Sequence, residues 1–339
     1  MNIVIGGGMQ RASIEQIRSP RLILFLSLLF LSLSLLEIHG QEEPSRKSQL
    51  IYNSLKTFNS KERIFRKLTT NPARKNQKLS PNKISRKLKV VDRKINGFRM
   101  LTVSPEKEVT QHIILLHGGA YVAEAMKGHR VLLEKLALEH GFKVTFIDYP
   151  LAPEHSASET IEIVIKAYLD LIKFYPDDAF YLLGDSAGGG LALALLQLLR
   201  DQEIDRRPDK TVLLSPWLDI SMENPEIDQY IEKEVVLSLD GLKTCGKQYA
   251  GDLDAHNPIV SPIAGDLNDL RKLKVYVSSH ELFYPDCVLL KEKIELTDGT
   301  RIDLSIKYKM VHDWVIFPIP ESDETIEEIA HFFSGTIIE

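Results

Sequence analysis

Cysteine is almost absent. Cys245 and Cys287 are the only two in 339 residues, too few for a disulfide framework and without metal-ligand spacing. Histidine occurs ten times, yet never in a zinc-binding pattern: His280-Glu281 lacks a second histidine four residues on, where Tyr284 stands. Internal repeats and low-complexity tracts are missing, which excludes a solenoid and a chain disordered throughout. There is no recognisable DNA-binding motif and no RNA-stacking aromatic pattern, so no nucleic-acid partner is expected. The triple glycine Gly6-Gly7-Gly8 is not followed by the helix and second strand of a dinucleotide loop. Neither a cofactor nor a metal is expected.

What is present suits a large folded core. Apolar residues make up 44% and charged residues 26%, ordinary proportions for a globular chain, and the length fits one large α/β domain with extensions. The net charge of −5 conceals an asymmetry, because Ser45 to Ile95 holds 16 Lys or Arg against Glu62 and Asp92 alone. Such a stretch can approach anionic lipid head groups or be a solvated, partly helical arm. Upstream, Leu22 to Leu36 is a nearly unbroken Leu/Ile/Phe/Ser run preceded by Arg18 and Arg21. At about 15 residues it suits the core of a signal peptide better than a full span of about 20. Ile38-His39-Gly40 is a poor cleavage site, so an uncleaved membrane anchor is the alternative.

Past Ile95 short apolar runs alternate with amphipathic stretches, the pattern of βαβ units around a mostly parallel sheet. Strands are predicted at His112–Leu116, Phe142–Ile147, Phe180–Leu183, Lys210–Leu214, Leu273–Val277 and Leu304–Met310. Helical composition marks Arg130–His140, Ala187–Arg200 and Asp323–Phe333, and Ile161, Val164, Ile165, Tyr168, Leu169 and Ile172 fall on one helix face.

One motif carries chemistry. Gly184-Asp185-Ser186-Ala187-Gly188-Gly189 is a G-x-S-x-G sequence between a predicted strand and a predicted helix. A sharp strand-to-helix turn needs small neighbours, lifts the serine hydroxyl clear of the sheet, and points a helix N-terminus at developing negative charge. His117-Gly118-Gly119-Ala120 follows the first parallel strand, where the rest of an oxyanion hole belongs, since glycines let main-chain N–H groups come close to a substrate oxygen. An acid and then a histidine must follow in the chain. His312 is the only histidine at a late strand end, and Glu281 and Asp286 both follow the Val275–Ser279 run closely.

The four ordered motifs His117-Gly118-Gly119-Ala120, Asp148-Tyr149-Pro150-Leu151-Ala152-Pro153-Glu154-His155, Gly184 to Gly189, and Ser215-Pro216-Trp217-Leu218-Asp219 resemble the hormone-sensitive-lipase-like family of α/β-hydrolases, whose bacterial members are carboxylesterases. The resemblance runs from about Ile95 to the C-terminus. It implies an α/β fold with a mostly parallel central sheet flanked by helices and a helical cap, the cap drawn from about Gln49–Leu68 and Met222–Gly251. Residues 1–40 then read as leader or anchor, 41–94 as basic arm and cap helices, and 95–339 as the catalytic domain with its insertion near 222–251. The resemblance also implies a serine ester hydrolase acting on a small-molecule ester, with an amidase on the same machinery or a silent ligand-binding relative as alternatives. Oxyanion donors are expected from Gly118, Gly119 and Ala187. Two departures stand out: Ala120 replaces a third glycine, and Pro150 replaces the usual arginine after the strand tyrosine.

The family's acid-x-x-x-x-D segment aligns Glu281 with the catalytic acid and Asp286 with its terminal aspartate, which follows Pro285 as a helix cap or first-turn anion. Tyr121, Trp217, Phe283 and Trp314 are candidate pocket walls. With Ser186 as nucleophile and His312 as base, activity is expected to fall as pH drops through the free imidazole range, about 6 to 7. For location, the expected outcome is export or membrane routing of the full chain and a soluble hydrolase domain once residues 1–40 are removed. Cell fractionation checks this: recovery of intact chain, with Leu22–Leu36 attached, in the soluble cytoplasmic fraction would refute it.

Overall fold

The computed structural model describes residues 42–70 and 79–335; the segment read as leader or anchor lies outside them. Eight strands form one sheet: β1 Lys89–Ile95, β2 Phe98–Ser104, β3 Gln111–Leu116, β4 Lys143–Ile147, β5 Ala179–Asp185, β6 Lys210–Leu214, β7 Arg271–Ser278 and β8 Thr300–Lys307. Their order across the sheet is β1-β2-β4-β3-β5-β6-β7-β8. The β1–β2 and β2–β4 pairs are antiparallel and the rest parallel. The central strands β3, β5 and β6 are buried along almost their whole length, which is why they read as continuous Ile/Leu/Val runs rather than as alternation.

Strand order decides where a ligand can sit. From β3 the chain steps to one side to make β4, then crosses back to make β5 on the other side of β3. The loops leaving β3 and β5 therefore diverge, opening a crevice at their C-terminal ends.

The helices are α1 Arg46–Thr57, α2 Ser60–Thr70, α3 Lys127–Leu138, α4 Ala157–Phe174, α5 Ala187–Asp201, α6 Leu239–Ala250, α7 Tyr284–Ile294 and α8 Pro320–Ser334. Two apolar cores lie on the two faces of the sheet, one containing residues of α4, α5 and α7, the other residues of α3 and α8. Helix α4 starts with a reciprocal cap between Ser156 and Glu159. Helix α5 is apolar nearly all round because it is enclosed on nearly all sides.

Two sequence expectations need correction. The basic arm was expected to run to residue 94, but Lys89–Ile95 is a sheet strand. Its sequence, Lys-Val-Val-Asp-Arg-Lys-Ile, hides this because an exposed antiparallel edge strand needs no apolar face, and lysine there discourages edge-to-edge pairing. The last strand ends at Lys307 rather than at residue 310: the chain turns at Tyr308-Lys309, with Lys309 at φ 52°, and buries Met310 and Val311 in the core.

Helices α1 and α2 are tied down by specific contacts. The backbone N–H of Ser45 and the hydroxyl of Ser48 both donate to Glu321, at 2.6 Å each. Lys61 Nζ donates to the carbonyls of Ile231 and Glu234, and Ser238 Oγ donates to Glu62 at 2.8 Å. Phe65 packs where a side chain at Gly241 would stand, its ring 2.4 Å from the Cβ an alanine would carry, so α2 and α6 meet over a glycine. Replacing buried Phe65 by alanine removes this contact and should cost about 3 kcal/mol, measured by chemical denaturation. A loss under about 0.5 kcal/mol would show that α2 is not packed on α6 in solution.

Candidate active site

Strand β5 cannot pass into α5 without a sharp reversal. Ser186 takes φ 51° and ψ −119°, a conformation that costs about 1–3 kcal/mol for a residue with a side chain. Its N–H donates to Leu214 and its carbonyl accepts from Gly189, Gly190 and Trp217, so the turn is held from both sides. The Ser186 hydroxyl caps none of the α5 N–H groups, which leaves it for other work.

The loop after β3 lies against this turn. A Cβ on Gly118 would stand 2.3 Å from Asp185 Oδ2 and 2.9 Å from Ser186 Cβ, so only glycine fits. The Gly118 N–H donates to Asp185 Oδ2 at 2.8 Å. This corrects the expectation that Gly118 serves as an oxyanion donor: its hydrogen is already taken. Among the described residues, the N–H groups of Gly119, Ala120 and Ala187 have no acceptor. Ala120 sits at φ 53°, where glycine is the comfortable residue.

Asp185, the variable position of the serine motif, does more than fill space. It is buried, and it accepts from Gly118 and from His129 Nε2 at 2.9 Å. His129 Nδ1 in turn accepts the Met126 N–H at 2.8 Å. Burial works against the charged carboxyl, yet the adjacent His129 holds it below the usual range. Asp185 and His129 thus fasten the β3 loop to the serine turn. The sequence signal for Asp185 was its place beside Ser186; His129 had none.

Loops after β7 and β8 bring two more groups to the serine. His312 Nε2 is 3.0 Å from Ser186 Oγ, and His312 Nδ1 is 2.6 Å from Glu281 Oε2. Glu281 also accepts from Ser215 Oγ at 2.8 Å and from the Ser278 N–H. Ser186 and His312 are each only 4% exposed and Glu281 is fully buried. Asp286 is elsewhere: it lies in the first turn of α7 and accepts from Asn224 Nδ2 at 2.8 Å. Burial pushes its carboxyl up to about 6.

The residue after the histidine was not anticipated. Asp313 Oδ2 lies 3.1 Å from His312 Nε2. Burial works against a charged imidazole, but the carboxylates of Asp313 and Glu281 outweigh it and raise His312 well above the ordinary histidine range.

The aromatic side chains divide. Tyr121 stacks on Tyr249 with centroids 3.6 Å apart, Trp217 stacks with Phe283, and the Phe283 ring meets His312 edge-on. Trp314 faces the other core and donates to Thr325, which corrects its place among the pocket walls. Among the described residues no cluster of side chains could hold a metal ion.

Comparison with known proteins shows the family. Residues 113–316 match the family model of the alpha/beta hydrolase fold. The chain belongs to the α/β-hydrolase fold family. It is 31% identical to an esterase of Acinetobacter venetianus over 70% of this chain and 80% of that one. It is also 31% identical to an acetyl-hydrolase of Streptomyces hygroscopicus, over 68% of this chain and 77% of the relative. A crystal structure described as an esterase from the bacterial hormone-sensitive lipase family superposes with TM-score 0.71 at 25% identity, covering 85% of this chain and 98% of that one. This α/β-hydrolase is accordingly an esterase of the hormone-sensitive-lipase-like kind, as its motifs implied.

Gly118→Ala tests the fit of the two loops. The added methyl must push the β3 loop off Asp185, and a displacement of about 1 Å at a reacting centre costs about 10²-fold. We expect kcat/KM for a soluble aryl ester to fall by that order with the fold retained by circular dichroism; a variant within threefold of the parent would show that the loop does not need this contact.

Proposed function

We propose that the protein hydrolyses carboxylic esters through an acyl-enzyme on Ser186, with His312 as general base and Glu281 as the carboxylate that orients it. The observation that carries the proposal is the unbroken hydrogen-bonded line Ser186–His312–Glu281, 3.0 Å and then 2.6 Å, at the C-terminal edge of the sheet beside a helix N-terminus. With Nδ1–H directed at Glu281, the imidazole offers Nε2 to the serine hydroxyl. His312 takes the Ser186 proton as Oγ attacks the ester carbonyl, and passes it to the leaving alcohol; water then repeats the sequence and releases the acid. The N–H groups of Gly119, Ala120 and Ala187 are suited to receive the tetrahedral oxyanion, each donor being worth about 3 kcal/mol. Ala187 adds the partial positive charge of the α5 N-terminus.

Short to medium acyl chains suit the site. Tyr121 follows the donor loop directly, and its hydroxyl lies 2.8 Å from where a side chain on Gly190 would begin, one turn into α5. Tyr121, Tyr249 and Trp217 are almost wholly buried, so aromatic rings fill space beside the nucleophile. The acetyl-hydrolase among the relatives points the same way. For location, we propose that Leu22–Leu36 routes the chain to export or to a membrane.

Ser186→Ala should lower turnover on acyl esters of graded chain length by on the order of 10⁴-fold while leaving the fold intact. Glu281→Gln should cost a comparable factor, because an amide favours the wrong imidazole tautomer and does not stabilise the imidazolium. Asp286→Asn should act on stability instead. Steady-state rates alongside thermal melting separate these effects, and a Ser186→Ala variant keeping a tenth of parent turnover would refute the nucleophile.

A further inference from the structure

The mechanism above leaves one buried acid unused. Asp313 is 6% exposed and stands in left-handed backbone, φ 53° and ψ 40°, a conformation that aspartate and asparagine tolerate better than most residues. Its Oδ2 is 3.1 Å from His312 Nε2, the nitrogen that also faces Ser186 Oγ at 3.0 Å. Its Oδ1 is buried with no hydrogen-bond partner. Since Nδ1–H is directed at Glu281, a working base must present a lone pair at Nε2. An ionised carboxylate oxygen at this distance disfavours the bare lone pair and favours a protonated Nε2.

We propose that Asp313 is a positioning residue that holds a shared proton on the Nε2 side of His312, so that the base is released to Ser186 only when the pair loses that proton to solvent. The inference rests on the triad reading given above. Below the titration of the pair, Nε2 stays protonated beside Asp313, at ion-pair distance, and the Ser186 proton has nowhere to go. Above it, Nε2 accepts from Ser186 Oγ–H. During attack the imidazolium formed by proton transfer from Oγ lies between two carboxylates, Glu281 at Nδ1 and Asp313 at Nε2, until Nε2 gives the proton to the leaving alkoxide. The same carboxylate therefore strengthens the base and delays its availability.

The surrounding charges bear this out. Glu281 faces His312 from the β7 loop, and Glu234 from the segment before α6, while Asp185, at the end of β5, adds negative potential at Asp313. Glu234 is already bonded to the Val236 and Leu237 N–H groups, at 2.6 and 3.0 Å, and Asp185 to Gly118 and His129. Asp313 is the acid of this group in contact with Nε2. Burial raises its carboxyl, and His312 is raised as well; both shifts favour a retained proton. The sign follows: a group that binds its proton more tightly gives it up at higher pH, so the acid limb of activity moves upward.

The test is the pH dependence of kcat/KM on a neutral soluble ester for the parent, Asp313→Asn, Glu234→Gln and His312→Ala. We expect the parent limb above about pH 7 and the Asp313→Asn limb at least about one unit lower, raising its rate at pH 6 relative to its own plateau about tenfold. Glu234→Gln should shift the limb less. A limb unmoved in Asp313→Asn, or moved as far in Glu234→Gln, overturns the proposal. So does a lowered plateau with no shift, which is what a structural role alone would give. Should the asparagine variant not fold, the low-field proton resonance of the imidazole in the parent decides: titration above about pH 7 supports the shared proton, and titration near the free imidazole value of about 6.5 refutes it. His312→Ala separates the two levels of the argument. An inactive His312→Ala with an unmoved Asp313→Asn limb leaves the triad standing and removes only this role, whereas an active His312→Ala removes both.

Discussion

The reversal at Ser186 is the constraint from which the rest of the site follows. A strand ending at Asp185 and a helix starting at Ala187 leave a single residue to turn the chain, and that residue takes a positive φ. The strain persists because neighbours grip the turn: Leu214 from β6 takes its N–H, and Trp217 binds its carbonyl. Those contacts require the β6 loop to pass directly over the first turn of α5, and Gly189 and Gly190 leave room for Pro216 and Trp217 to do so. The backbone that carries the reactive hydroxyl is thus held in place by the end of β6 and the loop that follows it.

The second requirement is electrostatic. Four acids, Asp185, Glu234, Glu281 and Asp313, are buried in and beside the site, and a buried carboxylate is tolerated only when donors surround it. Each of the first three has been given backbone or side-chain donors from a different part of the fold: Gly118 and His129, Val236 and Leu237, Ser215 and Ser278. The polar contacts that hold these loops in register are largely the ones that keep these charges satisfied. Asp313 differs in that its main partner is the base itself.

Much of this was legible in the sequence, for identifiable reasons. Buried parallel strands write themselves as apolar runs, and the serine turn demands small residues in a fixed spacing, so the fold class and the nucleophile motif could be read directly. Glu281 needed the family pattern, since Asp286 lies nearly as close to the strand end and differs only in what it touches. Strand β1 was invisible because an edge strand is not selected for an apolar face. The Gly118 hydrogen bond, the His129 tether and the Asp313 contact were invisible for a different reason: each depends on residues brought together from distant parts of the chain or on the direction of one side chain. His129 and Asp185 are 56 positions apart.

The clasp between Ser45 and Glu321 closes 276 positions of chain. During synthesis the basic helix α1 is made before its anchor, with all eight strands of the sheet made between them. Until residue 321 is made, α1 has no Glu321 to bind. Contacts of such long sequence separation are the slow ones to form, so docking of α1 onto the start of α8 is expected late in folding.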